Sequence, residues 1–337
     1  MLDPGLRRED AISRPRALRY FRLIVVLGVA AILAPVCLAQ SYPQRPIRII
    51  ALSSPGSGPD IVGRLVGSRL TEAWGQQVIV DPRPGATGII GAEIAAKSPP
   101  DGYTLVIITS QAVIVSVMYD DLKYSLIRDF APITLVATTP FILAVHPVVP
   151  ATSIKQLIAL ARSKPGELRY GSGGTGSPPH LSAEIFNAMT GTKMLHVPYK
   201  GVTPAMVDTV AGQVHMLISV IPAILPTVKA GKLRPLGVTS AKRSQLVPDV
   251  PAIAETVAGY EFIGWYSFFA LAGTPPAIVN KLNAEIGNAL QSASFKERIT
   301  SLGAEPRAST PEELATYLRV QTEKMRKAVQ DSGARRD

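Results

Sequence analysis

One cysteine, Cys37, is present in 337 residues. A disulfide framework is therefore excluded, and the core must hold without covalent staples. There are four histidines, His146, His180, His196 and His215, and no two stand at i, i+4. With no cysteine beyond residue 37 to complete a ligand set, a metal centre is not expected. Aromatic residues make up 6% of the chain and never interleave with a basic run. The formal charge of +10 is thus diffuse, which suits an anionic ligand and not a nucleic acid. A phosphate-binding GxxxxGK[ST] loop and a GxSxG nucleophile elbow are both missing. Charged residues are 18% against 47% apolar, so the chain is globular. Its length allows two ordinary domains.

The N-terminus holds the one long apolar stretch. Six arginines end at Arg22, the run Leu23 to Val36 follows, and then Cys37-Leu38-Ala39. A basic segment, a short apolar segment and a small-residue site together predict a secretory signal peptide, residues 1–39, cleaved near Ala39. The run is shorter than the ~20 residues a spanning helix needs, and Pro35 interrupts its end. A periplasmic location follows as an expectation. No second apolar stretch is long enough to span a membrane.

Along the remaining chain, strand and helix signals alternate. Ile47–Ala51, Val78–Val80 and Thr104–Thr109 read as strands, with helical periodicity from Asp60 to Trp74 and over Ile89–Ala96. The order implies a parallel sheet with right-handed crossovers. The pattern restarts with a strand at Phe141–Val145. Ser153 caps a helix, and further strands are expected at Leu168–Tyr170, Met194–Val197, Val214–Ser219, Leu233–Val238 and Glu261–Leu271. Helices are expected from Pro178 to about Met189, near Pro204–Val210 and Pro222–Ala230, and over Pro275–Leu290. Thr310-Pro311-Glu312-Glu313 is a capping box that opens a last helix.

Each half places a glycine-rich loop between a strand and a helix. The first is Ser53-Ser54-Pro55-Gly56-Ser57-Gly58-Pro59-Asp60; the second is Gly171-Ser172-Gly173-Gly174-Thr175-Gly176-Ser177. Unpaired N–H groups and the positive end of the helix dipole make such a loop an anion site, and glycine lets the backbone come close. Two such loops facing each other suit the two ends of a small dianion. Asp60 is expected as an N-cap. Gly171, Gly173 and Gly176 spell GxGxxG, but the acid a dinucleotide fold needs about 20 residues on is missing: Pro198-Tyr199-Lys200 follows that strand. A serine–histidine nucleophile from Ser177 and His180 has no identifiable orienting acid. Trp265 and Tyr266, in the long strand, read as either pocket lining or core, with core favoured.

Taken in order, these residues resemble the Bug-type extracytoplasmic solute receptors of tripartite tricarboxylate transporters. The matching stretches include Tyr42-Pro43 with Pro46-Ile47, Pro55-Gly56 through Asp60 and Arg64, and Arg83-Pro84-Gly85-Ala86. Pro100-Asp101-Gly102-Tyr103-Thr104-Leu105, Arg128-Asp129-Phe130, Ser172–His180 and Val197-Pro198-Tyr199-Lys200-Gly201 follow. Gly212-Gln213-Val214, Pro248-Asp249-Val250-Pro251 and Ala272-Gly273-Thr274-Pro275 complete the set. The resemblance implies an α/β, two-lobed periplasmic binding protein fold of the type II, Venus-flytrap kind with two crossovers. Lobe one would be 40–141 plus 264–337, and lobe two 142–263. It implies a small carboxylate, a di- or tricarboxylate or an aromatic acid, bound without a cofactor or metal. The implied binding positions are Ser54, Gly56, Ser57, Gly58, Asp60, Ser110, Gln111, Ser172, Gly173, Thr175, Gly176, Ser177, Tyr199, Gly201 and Ser219. No catalytic residue is implied. The implied partners are transporter membrane subunits, with no nucleic acid, and the protein is expected to be a monomer. Where the family often has Phe-Asp, this chain has Ile218-Ser219, and His215 replaces a common Asp. These departures make the pocket less acidic and favour a plain carboxylate over an amino acid. A receptor for a sensor kinase shares the fold, and a secreted hydrolase using Ser177 or Ser172 is the alternative of another class.

Overall fold

The computed structural model describes residues 42–332. The expected signal peptide lies outside the described residues. Residues 42–44 form a short segment of their own, in which the Tyr42–Pro43 peptide bond is cis. The remainder is α/β and two-lobed, built on ten strands.

Strand β1 (Ile47–Ala51) lies between β2 (Val78–Pro82) and β3 (Thr104–Thr109), parallel to both. Helix α1 (Gly58–Trp74) connects β1 to β2, and α2 (Ile89–Ala96) connects β2 to β3. These are the crossovers that the alternating pattern anticipates. Directly after β3 comes α3 (Ser110–Met118), a helix with no forerunner in the sequence reading. Val113, Ile114, Val115 and Val117 are β-branched and weak helix formers, so propensity points the other way. Burial of Ala112 through Val115 overrides it.

The second half repeats the design. Helix α4 (Ile154–Ser163) precedes β5 (Arg169–Ser172), and Ser153 caps it by accepting the Gln156 N–H. Helix α5 (Pro178–Thr190) leads to β6 (Leu195–Pro198), and α6 (Val202–Val210) leads to β7 (Met216–Val220). Strand β5 is parallel to both β6 and β7. Helix α7 (Ile221–Lys229) and β8 (Arg234–Val238) close this half.

Two long strands tie the halves together. Strand β4 (Phe130–Val145) pairs antiparallel with β9 (Ile263–Leu271) from Phe130 to Pro140. From Phe141 onward it pairs with β7 and β8 instead. The sequence reading started this strand at Phe141. Pro132 and Pro140 hid the rest, because proline removes a ladder donor and argues against a central strand. Here the ladder shifts register beside Pro132 and so accommodates it. Strand β9 also pairs with β3, so the path runs β2-β1-β3-β9-β4-β7-β5-β6. Residues on β4 are buried on both faces. Ile142 and Ala144 pack with Ala205, Leu217, Ile221 and Ile224 under α6 and α7. Phe141, Leu143 and Val145 join the larger core on the other side. Each buried Val, Leu, Ile or Phe among them contributes about 1.5–3 kcal/mol.

Three further helices follow: α8 (Pro276–Gln291), α9 (Ala293–Ser301) and, after the short strand β10 (Glu305–Pro306), α10 (Pro311–Ser332). The capping box is formed: Thr310 N–H donates to Glu313 at 2.9 Å, and Glu313 N–H donates to Thr310 Oγ1 at 3.1 Å. Helix α10 packs against α3 and α5, and so reaches both halves of the sheet.

Candidate functional site

The two glycine loops share one construction. Ser57 and Ser177 occupy the N-cap positions of α1 and α5, both in extended backbone and neither making a side-chain capping bond. The glycine before each cap is left-handed, with φ of +77° at Gly56 and +74° at Gly176. In each loop the third helical residue accepts the N–H of that glycine. Gly56 N donates to Asp60 Oδ2 at 2.8 Å, and Gly176 N donates to His180 Nδ1 at 3.1 Å. Asp60 is therefore not the N-cap that the sequence reading made it. The helix starts earlier, at Gly58, because Pro59 fits the first turn, where no N–H is needed.

The braces differ. Asp60 is 3% exposed and takes a further hydrogen bond from Arg64 Nε at 3.1 Å. Burial pushes its carboxyl up, but the bonds from Arg64 and Gly56 outweigh this and hold it below the usual carboxylate range. His180 stacks on His196 with ring centroids 4.0 Å apart, and Tyr170 stacks on His196 from 5.1 Å. Burial, then the neighbouring His196, pushes His180 down to about 4. It is thus neutral at pH 7, and its Nδ1 is free to accept. Below the stack, the Tyr170 hydroxyl donates to Glu184, whose carboxyl burial pushes up.

Ser177 and His180, the pair of the hydrolase reading, are not hydrogen-bonded to each other. Ser177 Oγ has no hydrogen-bond partner among the described residues, and His180 Nδ1 accepts the Gly176 N–H. Ser172 does meet a histidine, with Oγ 2.6 Å from His196 Nε2. However, it is fully buried and also bonds both polar groups of Gly174, so the hydroxyl locks the turn.

Beside the loops lies a chamber of about 340 Å³, at the small end of ligand pockets. Strands β4, β7 and β9 form part of it through Thr139, Phe141, Ser219, Val220, Gly264, Trp265 and Tyr266. The starts of five helices form the rest. Pro59 belongs to α1, Thr109 and Ser110 to α3, Pro178 and Pro179 to α5, and Val202 and Thr203 to α6, while Val220 caps α7. Each helix start carries roughly half a positive charge. No lysine, arginine, histidine, aspartate or glutamate is among the lining residues. The lining thus brings helix starts together without a charged side chain of its own, while the ionised Asp60 stands next to Pro59 at the start of α1, paired with Arg64. The Ser219 hydroxyl is 1% exposed and unpartnered among the described residues. Such a group is costly to bury unless something bonds to it.

Of the fifteen positions inferred from sequence, Ser110 and Ser219 line the chamber. Gly58, Ser177 and Gly201 sit one residue before lining residues, and Gln111 one after. The Tyr266 ring covers Gly58 so closely that a Cβ there would collide with the hydroxyl. Ser57 turns its hydroxyl back to the Ser54 carbonyl at 2.7 Å. Tyr199 bonds Asp208 at 2.7 Å, and its ring lies beside Gly171. Gly173 and Thr175 are half-buried in the loop, and Gly173 abuts Val202. A Cβ at Gly176 would come within 2.5 Å of Met118 Sδ, so α3 presses directly on the second loop. The sequence reading missed Thr139, Phe141, Met206, Val220 and Ala223, and it favoured core over lining for Trp265 and Tyr266, which line the chamber. Apolar lining residues carry no signal that separates them from core. The one usable sign was Gly201 before Thr203-Pro204, which marks a helix start.

The family model of the tripartite tricarboxylate transporter family receptor matches residues 62–334. Protein BugT of Bordetella pertussis is 36% identical over 324 residues, covering 93% of this chain and 98% of that protein. A Rhodopseudomonas palustris protein, Rpa4515, solved with adipate, is 37% identical with a TM-score of 0.73 and covers 87% of this chain and 98% of its own. MatC of the same organism, solved with bound malate, is 27% identical with a TM-score of 0.69, covering 86% and 100%.

Proposed function

The chain belongs to the tripartite tricarboxylate transporter receptor family, and from that premise we propose that it captures a small carboxylate in the periplasm and delivers it to a transporter's membrane subunits. The observation that carries this reading is the convergence of five helix starts on one chamber without a charged side chain. A carboxylate there is held by backbone N–H groups and hydroxyls. Hydrogen bonds to a charged group contribute about 1.5–3 kcal/mol each. Three or four of them, less ordering costs, reach the ~8 kcal/mol of a micromolar binder. The acids bound by Rpa4515 and MatC, adipate and malate, are of this class.

Capture proceeds by closure of lobe one (40–141 plus 264–337) on lobe two (142–263). The hinge lies near Phe141 and Gly264, where β4 changes partners and β9 begins. The Ser57–Gly58 loop and the Thr175–Ser177 loop contribute from opposite sides, with Ser110, Tyr199, Gly201 and Ser219 around them. A ligand that touches both lobes favours the closed state by its extra contacts there. Export by a signal peptide cleaved near Ala39 delivers a monomer to the periplasm. Among the described residues, no helix is long and apolar enough to cross a membrane.

The test is a thermal-shift screen of the mature protein against mono- and dicarboxylates, followed by small-angle scattering with the best binder. A raised melting temperature and a smaller radius of gyration are expected. Binding without compaction sinks the closure mechanism, and no response to any acid sinks the carboxylate reading.

A further inference from the structure

We infer that the chamber selects acids that carry a hydroxyl on their body over the same acids without it. This rests on the carboxylate reading above and deepens it. Of the buried side-chain polar groups without a partner among the described residues, three stand on residues that line the chamber. They are Thr139 Oγ1 on β4, Ser219 Oγ on β7 and Trp265 Nε1 on β9. The three residues are 5%, 1% and 2% exposed, so bulk water does not satisfy these groups. A buried polar group without a bond is costly, and a ligand group that bonds to it removes that cost. Further hydroxyls stand beside them, on Thr109, Ser110, Thr203 and Tyr266.

All three unpaired groups belong to strands, and this decides what they suit. Helix starts carry the field that holds a carboxylate, whereas strands have little net dipole. The strand side of the chamber therefore offers hydrogen bonds without a field, which matches a neutral polar group. A hydroxyl both donates and accepts. It can accept from Trp265 Nε1, which only donates, and exchange a bond with Ser219 or Thr139. An ammonium can only donate, and no carboxylate is among the lining residues to receive it. A bare methylene leaves all three groups unpaired. Thr139 lies opposite Gly264 of β9, and Ser219 lies opposite Ile142, after β4 has changed partners. The groups thus stand on both sides of the proposed hinge, and a hydroxyl that bonds across it adds a contact.

Calorimetry on the ligand-free mature protein, with acids that differ by one hydroxyl, tests this. Succinate is paired with malate, glutarate with 2-hydroxyglutarate, and butyrate with 3-hydroxybutyrate. In every pair with a member that binds, the hydroxylated acid should bind more tightly by about tenfold or more. Ser219→Ala should weaken the hydroxylated acid about fivefold more than its partner and so narrow the gap. Thr139→Val should act in the same direction. Neither substitution should lower the melting temperature of the ligand-free protein, because each replaces an unpaired buried hydroxyl by carbon. A melting temperature that falls in both variants would mean that the hydroxyls are bonded within the protein, and it overturns the inference. So does an unsubstituted acid that binds as tightly as its partner, or a gap that survives both substitutions; either leaves the carboxylate reading intact. Flat titrations with all six acids overturn both.

Discussion

The two glycine loops are alike in backbone and opposite in surroundings. Each has a left-handed glycine, a serine at the N-cap position, and a third helical residue that accepts the glycine N–H. In the first loop Gly56 is exposed, nothing lies within 4 Å of the Cβ it lacks, and the brace is an ionised carboxylate paired with Arg64. In the second loop Gly176 is buried against Met118, and the brace is a neutral imidazole in a stack of rings. One backbone device thus tolerates either a charged or an uncharged acceptor. What each acceptor needs is its own compensation: a guanidinium for the acid, and burial for the histidine.

Valine at the two glycines should break the likeness most sharply. Both substitutions strain a left-handed backbone, at about 1–2 kcal/mol. Gly176→Val also drives carbon into Met118 and adds a further 1–3 kcal/mol of overpacking. Gly176→Val should therefore lose at least tenfold more affinity for the best-binding acid than Gly56→Val, measured by calorimetry. Equal losses would mean that α3 does not press on the second loop.

Acid should separate the loops next. The His180 ring is held at about 4, below its unfolded value near 6.5. The unfolded chain binds that proton first, so stability is complete above pH 6.5 and falls as the pH drops toward 4. The slope is at most about 1.4 kcal/mol per pH unit. Asp60, held below its usual range, contributes at every pH above its unfolded value and is silent in this window. Urea midpoints at pH 7 and 4.5 should show wild type losing about 2 kcal/mol more than His180→Asn, whose amide oxygen can still accept from Gly176. The same loss in both proteins would assign the acid limb to other groups.

Removing the acid brace is a smaller perturbation. Asp60→Ala leaves the Gly56 N–H without its acceptor and should cost about 1–2 kcal/mol of stability. Arg64→Ala should cost least, under about 0.5 kcal/mol, because its side chain is 57% exposed and the pair sits at i, i+4. A loss from Arg64→Ala as large as that from Asp60→Ala would show that the carboxylate depends on its partner more than on the backbone.

Sequence patterning recovered much of this. Both loops, the α1 and α5 helices they enter, the Ser153 cap and the Thr310 capping box were legible, since each depends on groups within a few residues of one another. The family was legible too, from short motifs in a fixed order. Strand β4 before Phe141 was not, because its two prolines read as breaks until β9 lies alongside. Helix α3 was not, because its β-branched residues favour a strand until burial outweighs propensity.

The same division runs through the site. Helix starts and glycine turns are local, so the chain's own pattern states where they lie. Which starts meet at one chamber is another matter. Pro59, Ser110, Pro178 and Val202 are far apart in sequence and come together only through the strand order β3-β9-β4-β7. The walls are harder still to read. Phe141, Met206 and Val220 look like any core residues, and a period-two strand presents alternate residues to opposite faces. Long-range register chose which of them face the chamber, and that choice rests on pairings such as Ile142 with Ser219 that no local signal encodes.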